Sequence, residues 1–230
     1  METKHIIHFY LFIILICIST KANSQPRPDE DTLNIINGTV WVPQIKITKQ
    51  NTFFLQNLNQ KGELRINGTW FENRTFGYDI YQNELIISMQ TSDNTDRYIS
   101  LNKDALDEFR IKTNDFNYHF IRGNKLHKQL KPYHYYQLIV TKNPNLKYVI
   151  LRTLKRKLST SNSNSHKLLV ANKLFIINKN QLIPISGKKD LLSIFPNKRK
   201  EVKNFIRAQK IKISSKKPLD IIPVLHNFSN

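Results

Sequence analysis

Apolar and polar side chains alternate along most of this chain, and this two-residue period limits the fold more strongly than any other feature. The stretch FGYDIYQNELIISM, which begins at Phe76, is the clearest example. Its alternating apolar residues are Phe76, Tyr78, Ile80, Leu85, Ile87 and Met89. Because successive side chains of a β-strand point to opposite faces, the pattern predicts a hairpin with one buried face and a turn at Gln82-Asn83.

Similar patterns predict strands along most of the remaining chain. The run DFNYHFIRG places Phe116, Tyr118 and Phe120 on one face, and YHYYQLIVTKNPNLKYVILRTL predicts two strands around a turn at 143–145. The run GTVWVPQIKITK changes phase at Pro43, which predicts a bulge or a sheet edge. Further strands are predicted at 62–71, 97–101, 108–113 and 167–177.

The C-terminal part has a helical period instead. Two short helices are predicted, one over 188–195 that Pro196 ends, and one that begins near Lys198 with Asn197 as its cap. The second helix carries a narrow apolar stripe, which consists of Val202, Phe205 and Ile206. We therefore predict a mainly β fold, an antiparallel sandwich or partly open barrel, with a basic helical appendix over 186–230.

The N-terminal stretch METKHIIHFYLFIILICISTKANSQ predicts a signal peptide. Lys4 precedes ten apolar residues at positions 9–18, and the small residues Ala22 and Ser24 suit cleavage after Ser24. A membrane-spanning helix needs about 20 apolar residues, so this shorter run does not favour a membrane anchor. We therefore expect an exported chain that starts at Gln25 and is periplasmic, associated with the outer membrane or extracellular.

Cleavage at this point also removes Cys17, the only cysteine. An exported chain without disulfides derives its stability from its core, and residues 25–230 are numerous enough for one core of ordinary size. No transmembrane span is expected after cleavage. The predicted organisation is a signal peptide at 1–24, a β-rich core domain at 25–185 and a basic helical segment at 186–230 that packs on the core.

Charge is distributed unevenly along the expected exported chain. Residues 25–121 carry ten basic and thirteen acidic side chains, whereas residues 122–217 carry twenty-four basic and only two acidic ones. The resulting net charge of +22 over 122–217 predicts a basic face that attracts polyanions. The alternative is a set of separately solvated cations. The candidate anion-binding residues are Lys155, Arg156, Lys157, Lys188, Lys189, Lys198, Arg199, Lys200, Lys203, Arg207 and Lys210.

Nucleic acid is one partner that such a surface could bind, because Tyr133, Tyr135 and Tyr136 could stack on bases. Export argues against a nucleic-acid partner. The partners expected in an envelope are anionic polymers or lipids, such as lipopolysaccharide and acidic polysaccharide, or an acidic protein.

The C-terminal sequence KKDLLSIFPNKRKEVKNFIRAQKIKI, preceded by a strand pair, resembles the end of small exported proteins from Bacteroidetes-type Gram-negative bacteria. These proteins combine a signal that ends before Gln with a β-rich body and a Lys-rich helix. Their body contains an aromatic-Asp strand similar to FGYDIYQNELII. The resemblance implies export and a β-rich fold, and it implies no catalytic or ligand-binding residue.

Sequence motifs for catalysis and for cofactor or metal binding are lacking. None of the five histidines after residue 24 occurs in an HExxH or Cys/His metal-binding pattern, and the chain has no glycine-rich phosphate loop or Gly-x-Ser-x-Gly motif. A turn or a helix start accounts for Asp104, Asp107 and Glu108. We therefore expect a non-enzymatic structural or interaction protein without cofactor or metal, and the alternative is a binder of anionic polymer or lipid.

Overall fold

The structure of the chain, a computed structural model, describes residues 38–42, 50–90, 94–158 and 166–229. The predicted signal peptide at 1–24 and the phase change at Pro43 lie outside the described residues. The described strands are β1 (Gly38–Val40), β2 (Gln60–Ile66), β3 (Thr69–Asp79), β4 (Glu84–Gln90), β5 (Asp96–Leu101), β6 (Leu106–Lys112), β7 (Asn117–Arg122), β8 (Tyr135–Val140), β9 (Leu146–Leu151), β10 (Leu154–Leu158), β11 (His166–Val170), β12 (Lys173–Asn178) and β13 (Gln181–Ile185). The described α-helices are α1 (Gly123–Leu126), α2 (Lys188–Ser193), α3 (Arg199–Ala208) and α4 (Ile222–Phe228).

Eleven of the described strands form one antiparallel sheet in the order β1-β5-β4-β3-β2-β6-β7-β8-β9-β12-β13, and β10 and β11 form a separate hairpin. The long sheet combines two meanders, which are joined where β2 pairs with β6. It is not closed into a barrel. The predicted mainly β, antiparallel fold with short C-terminal helices is confirmed.

The β3–β4 hairpin buries the alternating residues of its sequence, but Ile86 on the opposite face of β4 is also buried. Phe76 and Tyr78 are buried on β3, Leu85 and Ile87 are buried on β4, and Asn83 closes the turn with a left-handed backbone, φ 56°. Asparagine adopts this conformation more readily than other non-glycine residues, because its short polar side chain bonds locally.

Two of the predicted strands are in fact pairs of strands. The segment 62–71 contains the turn Asn67-Gly68, where both residues have positive φ, so β2 and β3 meet there as a tight hairpin. The segment 167–177 is divided near Asn172, whose side chain bonds the backbone of Thr153 and Ser215. Alternation alone does not locate such breaks, because the polar residues of a short turn continue the pattern.

The first part of the long sheet is strongly curled. Tyr78 on β3 and Tyr135 on β8 are separated by four strand intervals, which would place them about 19 Å apart in a flat sheet. Their ring centroids are only 6.3 Å apart. Of the two predicted architectures, this curled open sheet corresponds to the partly open barrel.

The side chain of Asn83 holds the curled edges together. Its Oδ1 accepts hydrogen bonds from Tyr78 Oη at 2.9 Å and from Tyr135 N at 3.0 Å, and its Nδ2 donates to Tyr133 O at 2.8 Å. The β3–β4 turn is thereby joined to the start of β8 without a backbone ladder between them.

Aromatic rings fill the concave side of the curled part. Phe109 stacks on Phe120 with centroids 4.8 Å apart, and it meets Phe76, Tyr78 and Tyr135 edge-on. Offset and edge-to-face contacts of this kind add to the free energy gained by burying the rings.

The second part of the long sheet is covered by the C-terminal helices. Tyr148, Ile150 and Ile176 belong to the same buried cluster as residues of α2, α3 and α4. The predicted stripe is confirmed, because Val202 and Ile206 are buried and Phe205 packs against this cluster while partly exposed.

The predicted cap of the second helix is wrong. Asn197 lies within a short 3-10 turn, Pro196–Lys198, and Lys198 occupies the N-cap position without a side-chain cap bond. The first helix is capped by Asp190, whose Oδ2 accepts hydrogen bonds from the Ser186 and Gly187 backbone at 2.8 and 3.1 Å. The Ser186 hydroxyl also donates to Oδ2, and this bond, followed by the backbone bonds, lowers the pKa of the Asp190 carboxyl.

Candidate functional site

The candidate anion-binding residues fall on three elements of the structure. Lys155, Arg156 and Lys157 lie on β10 and are exposed. They belong to the separate β10–β11 hairpin rather than to the long sheet. Lys188 and Lys189 form the first turn of α2, where Lys189 is exposed and Lys188 partly so.

The remaining candidates lie on or next to α3. Arg199, Lys203 and Arg207 are four residues apart, so they form one row along the exposed side of this helix. Lys198 and Lys200 adjoin the row at its start, and Lys210 follows the helix; Lys198 is partly exposed and the other two are exposed. Like charges at this spacing repel one another.

Among the described residues, the cations after Lys125 have no acidic partner. Where both partners are described, every ion pair joins residues between 63 and 125, and none uses a cation after Lys125. Asp190 is occupied by the cap of α2, and Glu201 is exposed on α3. We name the unpaired cations of α3 and its flanks, Lys198, Arg199, Lys200, Lys203, Arg207 and Lys210, the cationic row.

A second polar region is a cleft of about 590 Å³ near the start of β6. Arg122, at the end of β7, is 7% exposed and donates from Nη1 to the carbonyl oxygens of Lys103 and Asp104 at 2.8 and 2.7 Å. Its Nη2 lies 3.3 Å from Asp107 Oδ1. Arg122 therefore fixes the turn that precedes β6.

Glu108 is, after Arg122, the second residue of the cleft whose charged group is bonded by neighbouring side chains. Its Oε1 lies 2.8 Å from Arg65 Nη1, and its Oε2 lies 2.5 Å from His119 Nε2. Burial raises the pKa of Glu108, but hydrogen bonds from Arg65 and then His119 outweigh burial and hold the pKa below its ordinary value. The carboxylate is thus ionised and bonded on both oxygens.

The charges of the cleft satisfy one another. Asp107 faces Arg122 and Lys125, while Glu108 faces Arg65 and His119. A carboxylate that is bonded in this way stabilises the local fold. No group of three or more potential metal ligands occurs in the ranges that the structure describes.

Sequence reasoning did not identify this cleft. A helix start was one of the two explanations offered for Asp107 and Glu108, and it is wrong, because both residues lie on strand β6. Their partners come from β2 and β7, so only the strand register brings the charges together. The alternation of β6 carried a usable signal, since Glu108 lies opposite in phase to the buried Phe109 and Ile111.

Within the described part of the chain, no helix has both the length and the apolar character needed to cross a bilayer. Comparison of the chain with protein-family models, with curated protein sequences and with solved structures gives no match.

Proposed function

We propose that this protein is an exported, non-enzymatic interaction protein of a bacterial cell envelope, and that it binds anionic polymer or lipid through the cations of its C-terminal part. The single observation that supports this proposal is the cationic row, which has no acidic partner among the described residues. The export component rests on the N-terminal sequence pattern.

Unpaired cations on a rigid surface favour a polyanionic partner. α3 is anchored by the buried residues Val202 and Ile206, so its exposed row is held in a fixed direction. Each contact with a phosphate or carboxylate of a polymer releases condensed counterions, which makes binding favourable at low salt and weak at high salt. The cleft at Glu108 favours a structural role instead, since its charges are already paired.

The cationic row is tested with a fourfold variant, Lys198→Gln, Arg199→Gln, Lys200→Gln and Lys203→Gln. Binding to lipopolysaccharide and to polygalacturonate is titrated by fluorescence between about 50 and about 200 mM salt, the range over which phosphate contacts lose most of their strength. The expected result is a linear fall of log K with log salt for the unaltered protein, with a smaller slope and weaker binding for the variant.

A matched control distinguishes the effect of the cationic row on binding from the effect of total charge. Lys61 and Arg97 are exposed cations of the N-terminal part, so the pair Lys61→Gln and Arg97→Gln removes as much charge as Arg199→Gln with Lys203→Gln. We expect weaker binding only for the α3 pair. Equal binding by the two pairs and by the unaltered protein at low salt would mean that the cations are separately solvated, and the proposal would be abandoned.

Export is tested independently in the native host. Mass spectrometry of the envelope and culture fractions is expected to find a chain that begins at Gln25. A chain that retains Met1 and is found in the cytoplasm would overturn export, and nucleic acid would then become the first partner to test.

A further inference from the structure

Arg152 is a cation in an unusual position, between the two parts of the buried face. Arg152 follows the last residue of β9 in the phase of the buried Tyr148 and Ile150, and it bonds Gln137, the strand partner of Ile150. Its Nε and Nη2 lie 2.8 and 2.5 Å from Oε1 of Gln137, which is fully buried. Its plane also lies over Phe54, with 5.6 Å between Cζ and the ring centroid.

The Gln137 amide leaves most of the Arg152 donors unused. A guanidinium has five N–H groups, and the bonds to Gln137 occupy two of them. None of the carboxylates in the described ranges forms an ion pair with Arg152. Burial lowers the pKa of this guanidinium.

Arg152 lines a cavity of about 330 Å³. Its charged lining residues are Arg152, Lys216, Lys217 and Asp220. Its apolar and aromatic lining residues are Phe54, Leu55, Tyr118, Pro218 and Leu219. Neither lysine belongs to the cationic row.

The segment that carries the two lysines is fixed to the sheet. Tyr148 Oη donates to Pro218 O at 2.7 Å, and Asn172 Nδ2 donates to Ser215 O at 2.9 Å. The opposite rim is a turn in which Leu55 has φ 54°, a left-handed conformation that is unfavourable for a leucine and that leaves its side chain 46% exposed. Both rims of the cavity are therefore defined by the fold.

We infer that this cavity binds a phosphate monoester, with Arg152 as the bidentate donor, Lys216 and Lys217 as flanking cations, and Phe54 with Tyr118 against the attached organic group. Three cations and one carboxylate give the cavity a formal charge of +2. A phosphate monoester carries about −1.5 to −2 near pH 7, so it complements this charge better than a single carboxylate does. The planar guanidinium suits two phosphate oxygens at once.

This site goes beyond the proposed function, because it is a single cavity for one group rather than an open row of charges. Two sources of a phosphate monoester are compatible with it, a soluble sugar phosphate and the headgroup of a phosphatidate lipid. Both present the same phosphate, and the attached group differs.

Binding is measured by calorimetry with glucose 1-phosphate, and by sedimentation with phosphatidylcholine vesicles that contain phosphatidate. The test variant is Lys216→Gln with Lys217→Gln, two exposed residues whose replacement leaves the core intact. The control is Lys61→Gln with Arg97→Gln, two exposed cations that neither line the cavity nor belong to the cationic row. A second variant, Arg152→Lys, keeps the positive charge and removes the planar guanidinium that can bond two phosphate oxygens at once.

We expect the Lys216/Lys217 variant to bind at least about tenfold more weakly than the control, as for the loss of charge-assisted hydrogen bonds. Binding of glucose 1-phosphate identifies a soluble source, and binding of the vesicles alone identifies a lipid source. The inference is overturned if neither probe binds, if test and control variants bind equally, or if glucuronate, a sugar carboxylate of similar size, binds as tightly as glucose 1-phosphate. The fourfold α3 variant leaves this cavity unchanged. Its binding of the two phosphate probes therefore distinguishes failure of this inference from failure of the proposed function.

Discussion

The two parts of the long sheet bury their apolar face in different ways. The strands from β2 to β8 curl until opposite strands meet across aromatic rings, as the 6.3 Å between the Tyr78 and Tyr135 centroids shows. The strands β9, β12 and β13 are instead covered by α2, α3 and α4 through mainly aliphatic side chains. Large aromatic side chains can meet one another across a curled sheet. The aliphatic side chains of β9, β12 and β13 are instead buried by a layer of helices.

The same division separates paired from unpaired charge. The described ion pairs all join residues between 63 and 125, on strands of the curled part or on the turns and short helix next to them. The helix-covered part presents cations that have no acidic partner among the described residues. Charge therefore contributes to folding in the first part, and it is available for binding in the second.

The largest expected effect is the loss of a ring from the curled part. Phe109 is fully buried and contacts four other rings, so Phe109→Ala should lower the free energy of unfolding by about 3–5 kcal/mol. Phe205 on α3 is partly exposed, and Phe205→Ala should have a smaller effect, about 1–2 kcal/mol. Urea denaturation measures both values. Equal losses would contradict the division of the core into an aromatic part and a helix-covered part.

The next effect concerns the closure of the curl. Asn83 makes three buried or partly buried hydrogen bonds, so Asn83→Ala should destabilise the protein by about 2–3 kcal/mol through unsatisfied groups and an unfavourable left-handed backbone. Asn180, in the β12–β13 turn, has a similar φ of 65° and is exposed. Asn180→Ala measures the backbone contribution alone. A loss no larger than that of Asn180→Ala would show that the side chain of Asn83 does not hold the curl.

These two cases also show what the sequence could predict. The hairpin at Phe76 and its turn at Gln82-Asn83 follow from alternation and turn residues, which are local properties. That the Asn83 side chain also bonds Tyr135, 52 residues later, depends on the degree of curl. No local pattern encodes the curl, because the twist accumulates over many strands.

The two candidate sites were also predictable to different degrees, because one depends on a local sequence pattern and the other on the tertiary fold. An exposed cationic row on a helix is visible from the helical period of Val202 and Ile206. The Arg152 cavity combines Phe54, Tyr118 and Lys216, which are distant in sequence, so their proximity depends on the tertiary fold. Arg152 itself was detectable, since it continues the inward phase of Tyr148 and Ile150.

A smaller effect is expected from the loss of one of the two side-chain bonds, from Tyr148 and Asn172, that hold the C-terminal segment. Tyr148 Oη donates to Pro218 O in a buried position, so Tyr148→Phe should lower the free energy of unfolding by about 1 kcal/mol. Tyr133 is 49% exposed, and Tyr133→Phe serves as the control with no expected change. If Tyr148→Phe has no effect, the hydrogen bond from Tyr148 does not stabilise the C-terminal segment.

The paired charges of the curled part predict an acid dependence. The pKa of Glu108 lies below its ordinary value of 4.5, because hydrogen bonds from Arg65 and His119 outweigh the opposing effect of burial. A lowered pKa in the folded state stabilises the fold above the ordinary value, and this contribution is lost as pH falls through the folded pKa. Glu108→Gln should therefore be less stable than the unaltered protein at about pH 6, with a difference that narrows below about pH 4.5.

The control for this pH dependence is Glu72→Gln, since Glu72 is exposed on β3. Thermal unfolding of the three proteins across the same pH range gives the comparison. A difference between Glu108→Gln and the unaltered protein that stays constant with pH would show that ionisation of Glu108 is not what stabilises the cleft.

The smallest expected effect on stability comes from the cations of α3 in the helix-covered part of the molecule. Arg199, Lys203 and Arg207 repel one another along α3, so added salt should stabilise the unaltered protein by screening this repulsion. The fourfold Gln variant removes four of the six members of the cationic row, Arg199 and Lys203 among them, and it should gain less stability from the same salt. At moderate salt its melting temperature should stay within about 2 °C of the unaltered value, because exposed substitutions outside the apolar stripe change stability little. Should the variant instead melt well below the unaltered protein at low salt, the cations would be making stabilising contacts within the fold. The contrast between a part with paired charges and a part with charges free for binding would then fail.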